Sequence, residues 1–321
     1  NIEVEGCGLE GHINYGSLPG IASTAYTADV TSEQNGSGIN GAFKSIHLTN
    51  TTDALIAKGN LNLAGSSSEN IALVMGQDGS TGSLRIGSGT GTGGVDGQNS
   101  VVTLGDETQN NYGSLNGVAM NAGTGNSATL KVVGNGDAYF SVGDLSTDIS
   151  NNTVWVDGAH LTTNSIASHG GTQILNKLSV NNGSVTANGT ALIEDIDLAD
   201  GSTFTTKATD ADGSGAVTVR GKVTGQGTVS ADKRLTFEKD LTTGEEDNLL
   251  LTAGTDEYTG TVSFEGNLDS TVGTIQIDAD TLSVTGTTTL VEDSVKAGQW
   301  NPGNSIAAEN SLVQVLSLIH I

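Results

Sequence analysis

Between Ile46 and Leu290 the chain repeats one local pattern: a few residues alternating apolar and polar, then a short polar break. Ser83-Leu84-Arg85-Ile86, Val101-Val102-Thr103-Leu104 and Thr129-Leu130-Lys131-Val132-Val133 are early instances. Val154-Trp155-Val156, Leu178-Ser179-Val180, Val217-Thr218-Val219, Leu235-Thr236-Phe237, Val262-Ser263-Phe264, Ile275-Gln276-Ile277 and Leu282-Ser283-Val284 follow. Apolar residues at i and i+2 put one side of the backbone into a core and the other into water, which is strand periodicity. Val, Ile and Thr dominate these runs, as the pleated backbone favours. The breaks carry Asn35-Gly36, Asp78-Gly79, Asn135-Gly136, Asn182-Gly183, Asn188-Gly189, Asp200-Gly201 and Asp212-Gly213, residue types that tolerate the positive φ of tight turns. No stretch has helical spacing.

Many short strands leave a sandwich, a barrel or a solenoid. Composition separates them. Glycine accounts for 46 of 321 residues, proline for 2, aromatic residues for 4% and charged residues for 15%, against about 25% charged in an ordinary domain. A sandwich core uses large aromatic side chains and closes after about 100 residues, whereas here the pattern runs on without a linker. The expected fold is therefore all-β: a right-handed parallel β-helix, or β-solenoid, with rungs of roughly 20 residues. Each rung stacks its aliphatic residues on the next. Tandem β-sandwiches are the alternative. The pattern divides the chain into an N-terminal part or cap of the solenoid at 1–45, a β-solenoid repeat region at 46–298 and a terminal segment at 299–315. The last six residues, 316–321, are apolar and unlike the rest. They equal what a sequencing-library adapter gives when translated in frame, so a non-native tail is expected, with a genuine terminal strand as the alternative.

Charge narrows the partners. Thirty-six acidic residues against 12 basic ones give a net charge of −24. Phosphate binding needs clustered Lys and Arg, so nucleic acid is not an expected partner, nor is an anionic membrane surface. Cys7 is the single cysteine and forms no intrachain disulfide, which excludes the disulfide-dense secreted modules. No stretch reaches the roughly 18 apolar residues of a membrane-spanning helix.

Chemistry has few candidates. Asp195 with Asp197, Asp210 with Asp212, and Asp278 with Asp280 are acids two apart, which on a strand share one face. Paired carboxylates of this kind serve polysaccharide-cleaving β-helices, but apolar residues between them fit a solvated outer face, and no catalytic residue is assigned. The run Thr209-Asp210-Ala211-Asp212-Gly213-Ser214-Gly215 offers hard oxygen ligands, so Asp210 and Asp212 form a weak calcium site candidate. No other cofactor is expected. His12, His47, His160 and His169 lack metal-ligand spacing and read as surface or loop side chains. The Gly87–Gly97 segment lacks the Lys-Ser/Thr ending of a phosphate loop.

Two elements carry a resemblance. Gly82-Ser83-Leu84-Arg85-Ile86-Gly87-Ser88-Gly89 and Gly221-Lys222-Val223-Thr224-Gly225-Gln226-Gly227-Thr228-Val229-Ser230 resemble the degenerate repeats of autotransporter passenger domains. Trp300-Asn301-Pro302-Gly303-Asn304-Ser305-Ile306 is similar to the Pro-Gly-Asn-Ser-Ile element of their last rungs, although Ala307-Ala308-Glu309-Asn310 departs from the usual continuation. The resemblance implies a secreted, non-enzymatic adhesin-type stalk at the bacterial cell surface, associated with the outer membrane through a C-terminal barrel outside this sequence. Its partners would be a host or neighbouring-cell surface, a glycan, or the protein itself. A surface-layer or filament subunit and a carbohydrate-active β-helix are the alternative functions.

Overall fold

A computed structural model of the chain describes the backbone of the strands between His12 and Met120 and, more fully, residues 127–147, 151–167, 173–209, 214–301 and 303–315. Every registered strand pairing is parallel, which removes the sandwich alternative, and the strands stack as a β-solenoid. The chain falls into two compact units, Asn1–Asn176 and Lys177–Ile321, a division that the sequence does not announce.

In the second unit the alternating runs become three stacked columns. One begins with Ser184–Ala187 and passes through Thr203–Thr206 and Thr228–Ala231 to Asn248–Ala253. Its inward residues form two files. Val185, Phe204, Val229, Leu251, Ile277 and Val295 fill the centre. Ala187, Thr206, Ala231, Ala253, Ala279 and Ala297 occupy the narrower place beside the corner. The second column stacks Ala191, Val217, Leu235, Val262 and Leu282, with Ile193, Val219, Phe237, Phe264 and Val284 two residues on. The third stacks Leu241–Thr242, Leu268–Ser270, Thr287–Val291 and Ser305–Glu309. The core is aliphatic as expected, but its largest fully buried side chains include Phe204, Phe237 and Phe264. The rings of Phe237 and Phe264 lie 4.7 Å apart and nearly parallel, so the scarce aromatics are concentrated on neighbouring coils. Coil length is not fixed near 20. Residues in contact on adjacent coils are 18 apart at Arg220 and Glu238, but 27 apart at Asp195 and Lys222. The surplus lies in loops at the corners, where extra length costs little.

The first unit contains much longer strands than the short runs predict. Ser127–Thr147 spans 21 residues and pairs along most of its length with Asn151–Thr163. It rounds a corner as one continuous strand, with the ladder interrupted only between Val133 and Ala138. Its first part also pairs with Ser100–Gly105 and its second with Tyr112–Met120. The register slips between Val133 and Ala138, opposite Gly158. Glycine is what permits this. Gly158 has φ +61° and Gly136 φ +114°, and a Cβ on Gly158 would lie 2.2 Å from the carbonyl oxygen of Gly134.

Candidate functional surface

The outward side of the strands carries the polar chemistry, and Asp195, Asp197, Asp278 and Asp280 are there. Along Thr190–Leu198 the residues Ala191, Ile193, Ile196 and Leu198 point inward, while Asp195 and Asp197 point outward together. Asp195 and Asp197 then take different partners. Asp195 Oδ1 accepts the Lys222 N–H at 2.8 Å, one coil on. Asp197 accepts the Thr224 hydroxyl at 3.3 Å and pairs with Lys177 at 3.3 Å. Asp278 and Asp280 repeat the arrangement: Asp278 meets Lys296 at 3.3 Å, and Asp280 accepts the Gly260 N–H at 2.7 Å. Asp210 and Asp212 lie outside the described residues. Of the described residues on either side of them, Ser214 bonds to Thr209: its hydroxyl donates to Thr209 O at 2.7 Å and accepts the Thr209 N–H at 2.8 Å. Cys7, His169, Gly87–Gly97 and 316–321 also lie outside the described residues.

The same bond recurs at four other corners among the described residues. Asp232 accepts Ala208 N–H, Asp240 accepts Asn267 N–H, Asn267 accepts Thr287 N–H and Asn176 accepts Asn152 N–H, at 2.7–3.0 Å. Each joins two coils. A short Asp or Asn side chain satisfies a donor that would otherwise be stranded, and a carboxylate does so with a charge-assisted bond. Asp195 and Asp280, which the sequence pattern placed in acid pairs on an outer face, serve structure in the same way. Among the described residues no three His, Cys, Asp or Glu side chains converge as a metal site.

One open cleft of about 560 Å³ crosses successive coils of the second unit, lined by Ser179, Asn181, Asp197, Asp200, Thr224 and Gln226 among others. Its far wall is Glu246 and Asp247. Asp247 is committed to structure, with Oδ1 accepting Gly225 N–H at 2.6 Å and Oδ2 accepting Gly244 N–H at 2.7 Å. Gly225 has φ +102°, and a Cβ there would lie 1.9 Å from Leu198 O, so the wall depends on glycine. The cleft offers hydroxyls, amides and carboxylates to a polar ligand.

On the first unit two aromatic contacts lie between Ser127–Thr147 and Asn151–Thr163. Tyr139 is 48% exposed and stacks on His160 of the adjacent coil, with ring centroids 4.6 Å apart. His160 sits on a strand rather than in a loop, and its Nε2 is 3.1 Å from Gly136 O. Lys131 Nζ lies 4.7 Å over the Trp155 ring, a cation–π contact between strand neighbours. Sequence spacing missed both pairs because their members are 21 and 24 positions apart; only the register brings them together.

These features define a parallel β-solenoid whose outward side is polar and acidic, with an aromatic area on the first unit. No protein-family model, no curated protein and no solved structure matches the chain. Among the described residues no helix is long and apolar enough to cross a membrane.

Proposed function

We propose that this chain is a non-enzymatic, surface-displayed solenoid of the passenger or adhesin type, a stalk that presents its outer side for attachment or self-association. The observation that carries the reading is the fate of its acids. Asp195, Asp197, Asp278 and Asp280 are each taken up in a separate contact between coils. A glycosidase needs two carboxyl groups held on either side of one bond, whereas Asp195 and Asp280 cap backbone N–H groups and Asp197 and Asp278 pair with side chains of neighbouring coils. What is left for a partner is an outer side of hydroxyls, amides and acids, together with Tyr139 and His160. Such a side suits a glycan or a protein surface at the exterior of a bacterial cell, with the stalk anchored by a barrel encoded beyond this sequence. The chain's acidity supports solubility outside the cell and disfavours nucleic acid.

The test is to incubate the purified chain with immobilised neutral and acidic polysaccharides and with whole bacterial and epithelial cells. Retained protein and released reducing ends are both measured. Saturable retention on a surface without reducing-end release is expected. Release of reducing ends at a rate proportional to protein concentration would overturn the reading.

A further inference from the structure

Among the described residues of the second unit Asp293 is the buried acid, at the corner between Thr287–Val291 and Ser294–Asn301, and it is 3% exposed. Its Oδ1 accepts the Ile275 N–H at 2.6 Å. Its Oδ2 accepts the Val291 N–H at 2.6 Å and the Ser270 hydroxyl. Its own N–H donates to Ser311 Oγ at 3.2 Å, and its carbonyl accepts the Leu312 N–H at 2.8 Å. One residue therefore ties the coils before and after it. Among the described residues no cation pairs with it. Of the charged groups on the segments packed here, Lys296 is bonded to Asp278, Asp269 holds the Thr271 N–H, and Glu292 is a like charge beside it. Burial raises the Asp293 carboxyl above its ordinary range, and Glu292 adds to the rise. The bonds from Ser270, Ile275 and Val291 oppose it.

The surrounding groups can satisfy either protonation state. Ser270 Oγ also reaches Thr289 O, at 3.4 Å. With Asp293 ionised, Ser270 donates to Oδ2. With Asp293 protonated by solvent, Oδ2–H donates to Ser270 Oγ, and the serine hydrogen turns to Thr289 O. The two backbone N–H groups keep oxygen acceptors throughout, and the only bond made or broken is the O–H bond of the carboxylic acid. We propose that Asp293, Ser270 and the Thr289 carbonyl form an acid-set latch on the C-terminal coils, closed most tightly when Asp293 is neutral and released toward local opening when it ionises.

The sign follows from linkage. The closed state binds the proton more tightly than the open, solvated state. The latch contribution is thus complete below the ordinary aspartate range and declines as pH rises through the raised value. The experiment is amide hydrogen exchange on the full chain between about pH 4 and pH 7, bracketing the carboxylate range, with protection corrected for intrinsic rates. The amides of Ile275 and Val291 should gain at least about threefold in protection on acidification, because a proton bound preferentially by the closed state lowers the opening constant. In Asp293→Asn that gain should disappear. Protection that stays flat or falls in the parent chain would overturn the latch, as would the same gain in Asp293→Asn. The carboxyl carbon of Asp293, titrated in the parent chain, decides independently of whether the variant folds. A midpoint above those of the exposed aspartates is expected, and one at or below them sinks the proposal.

Discussion

Two devices turn the corners of this solenoid, and the described part of each unit shows one of them most clearly. In the first, the Ser127–Thr147 strand bends through Gly134 and Gly136, and Gly158 of the neighbouring strand approaches so closely that no side chain fits between them. In the second, strands are mostly shorter and, although Thr274–Val284 rounds one corner as a single strand, the chain leaves the ladder at several others. There an Asp or Asn side chain replaces the lost backbone partner: Asp195 for Lys222, Asp240 for Asn267, Asn267 for Thr287. A glycine corner depends on the absence of a Cβ and tolerates no replacement. A carboxylate corner depends on one hydrogen bond and tolerates any side chain that can still make it. The two designs should therefore differ sharply in mutational cost, and the two tryptophans allow each to be read separately, Trp155 in the first unit and Trp300 in the second.

The largest effect belongs to the glycine corner. Gly158→Val introduces a branched side chain at φ +61° with its Cβ 2.2 Å from Gly134 O. Backbone strain at such a position costs about 1–3 kcal/mol, and the overlap with backbone adds to it. A loss of about 4 kcal/mol is expected, in the exceptional range for a single substitution. Urea unfolding in a Trp300→Phe background, followed by Trp155 fluorescence, measures it. A midpoint within error of the parent would show that the Gly134–Gly158 approach is not what holds the corner.

The carboxylate corner should be milder and chemically selective. Asp240→Ala strands the Asn267 N–H and should cost about 1–2 kcal/mol, in line with a lost capping bond. Asp240→Asn should cost less than about 0.5 kcal/mol, because Asn267 already does the same work for Thr287 with an amide oxygen at 2.8 Å. The measurement is urea unfolding in a Trp155→Phe background, read by Trp300. Equal losses for Ala and Asn would mean that charge, not hydrogen-bond acceptance, is what the corner needs.

The strands were legible in the sequence and the corners were not. Val217-Thr218-Val219, Leu235-Thr236-Phe237 and Val262-Ser263-Phe264 place their outer two residues in the core and the middle one outside, as the alternation requires. That signal is local, with a period of two, and needs no knowledge of neighbours. Alternation also put Asp195 and Asp197 correctly on one outward side. Their partners depend instead on which coil lies next, and coil spacing varies with loop length, from 18 residues at Arg220 and Glu238 to 27 at Asp195 and Lys222. Asp293 is the sharpest case. Nothing in Val291-Glu292-Asp293-Ser294 itself marks the aspartate, because its burial comes from other coils. The Tyr139–His160 and Lys131–Trp155 pairs were invisible for the same reason. The length of Ser127–Thr147 was missed because Asn135-Gly136 reads as a break, whereas there it bends a strand without ending it.

A third substitution tests whether the inward file of small residues has an error in it. Thr206 occupies the station held by Ala187, Ala231, Ala253, Ala279 and Ala297 on other coils, and its hydroxyl is buried without a hydrogen-bond partner among the described residues. A buried unpaired hydroxyl costs about 1–3 kcal/mol, and valine has nearly the same shape. Thr206→Val should therefore stabilise the second unit by about 1 kcal/mol, visible as a higher urea midpoint with Trp300 as the probe. A destabilised variant would mean that this hydroxyl is paired after all.

The smallest effect should come from the ion pairs on the outer side. Lys239 reaches Glu194 at 2.8 Å across 45 residues of sequence, and Arg220 meets Glu238 at 2.9 Å. Lys239 has a side-chain exposure of 63%, so water and salt screen the attraction and the long side chain loses freedom in making it. Lys239→Ala should cost no more than about 0.5 kcal/mol at physiological ionic strength, and the difference should vanish in about 1 M salt. The chain carries only 12 basic residues against 36 acidic ones. If the Lys239 loss approached that of Asp240→Ala at low ionic strength and fell away steeply as salt was added, long-range repulsion among the acids would outweigh their local hydrogen bonds. The carboxylate corner would then be an electrostatic liability that the few lysines and arginines offset, rather than a set of separate backbone caps. Urea midpoints of both variants at low and high salt distinguish the two accounts.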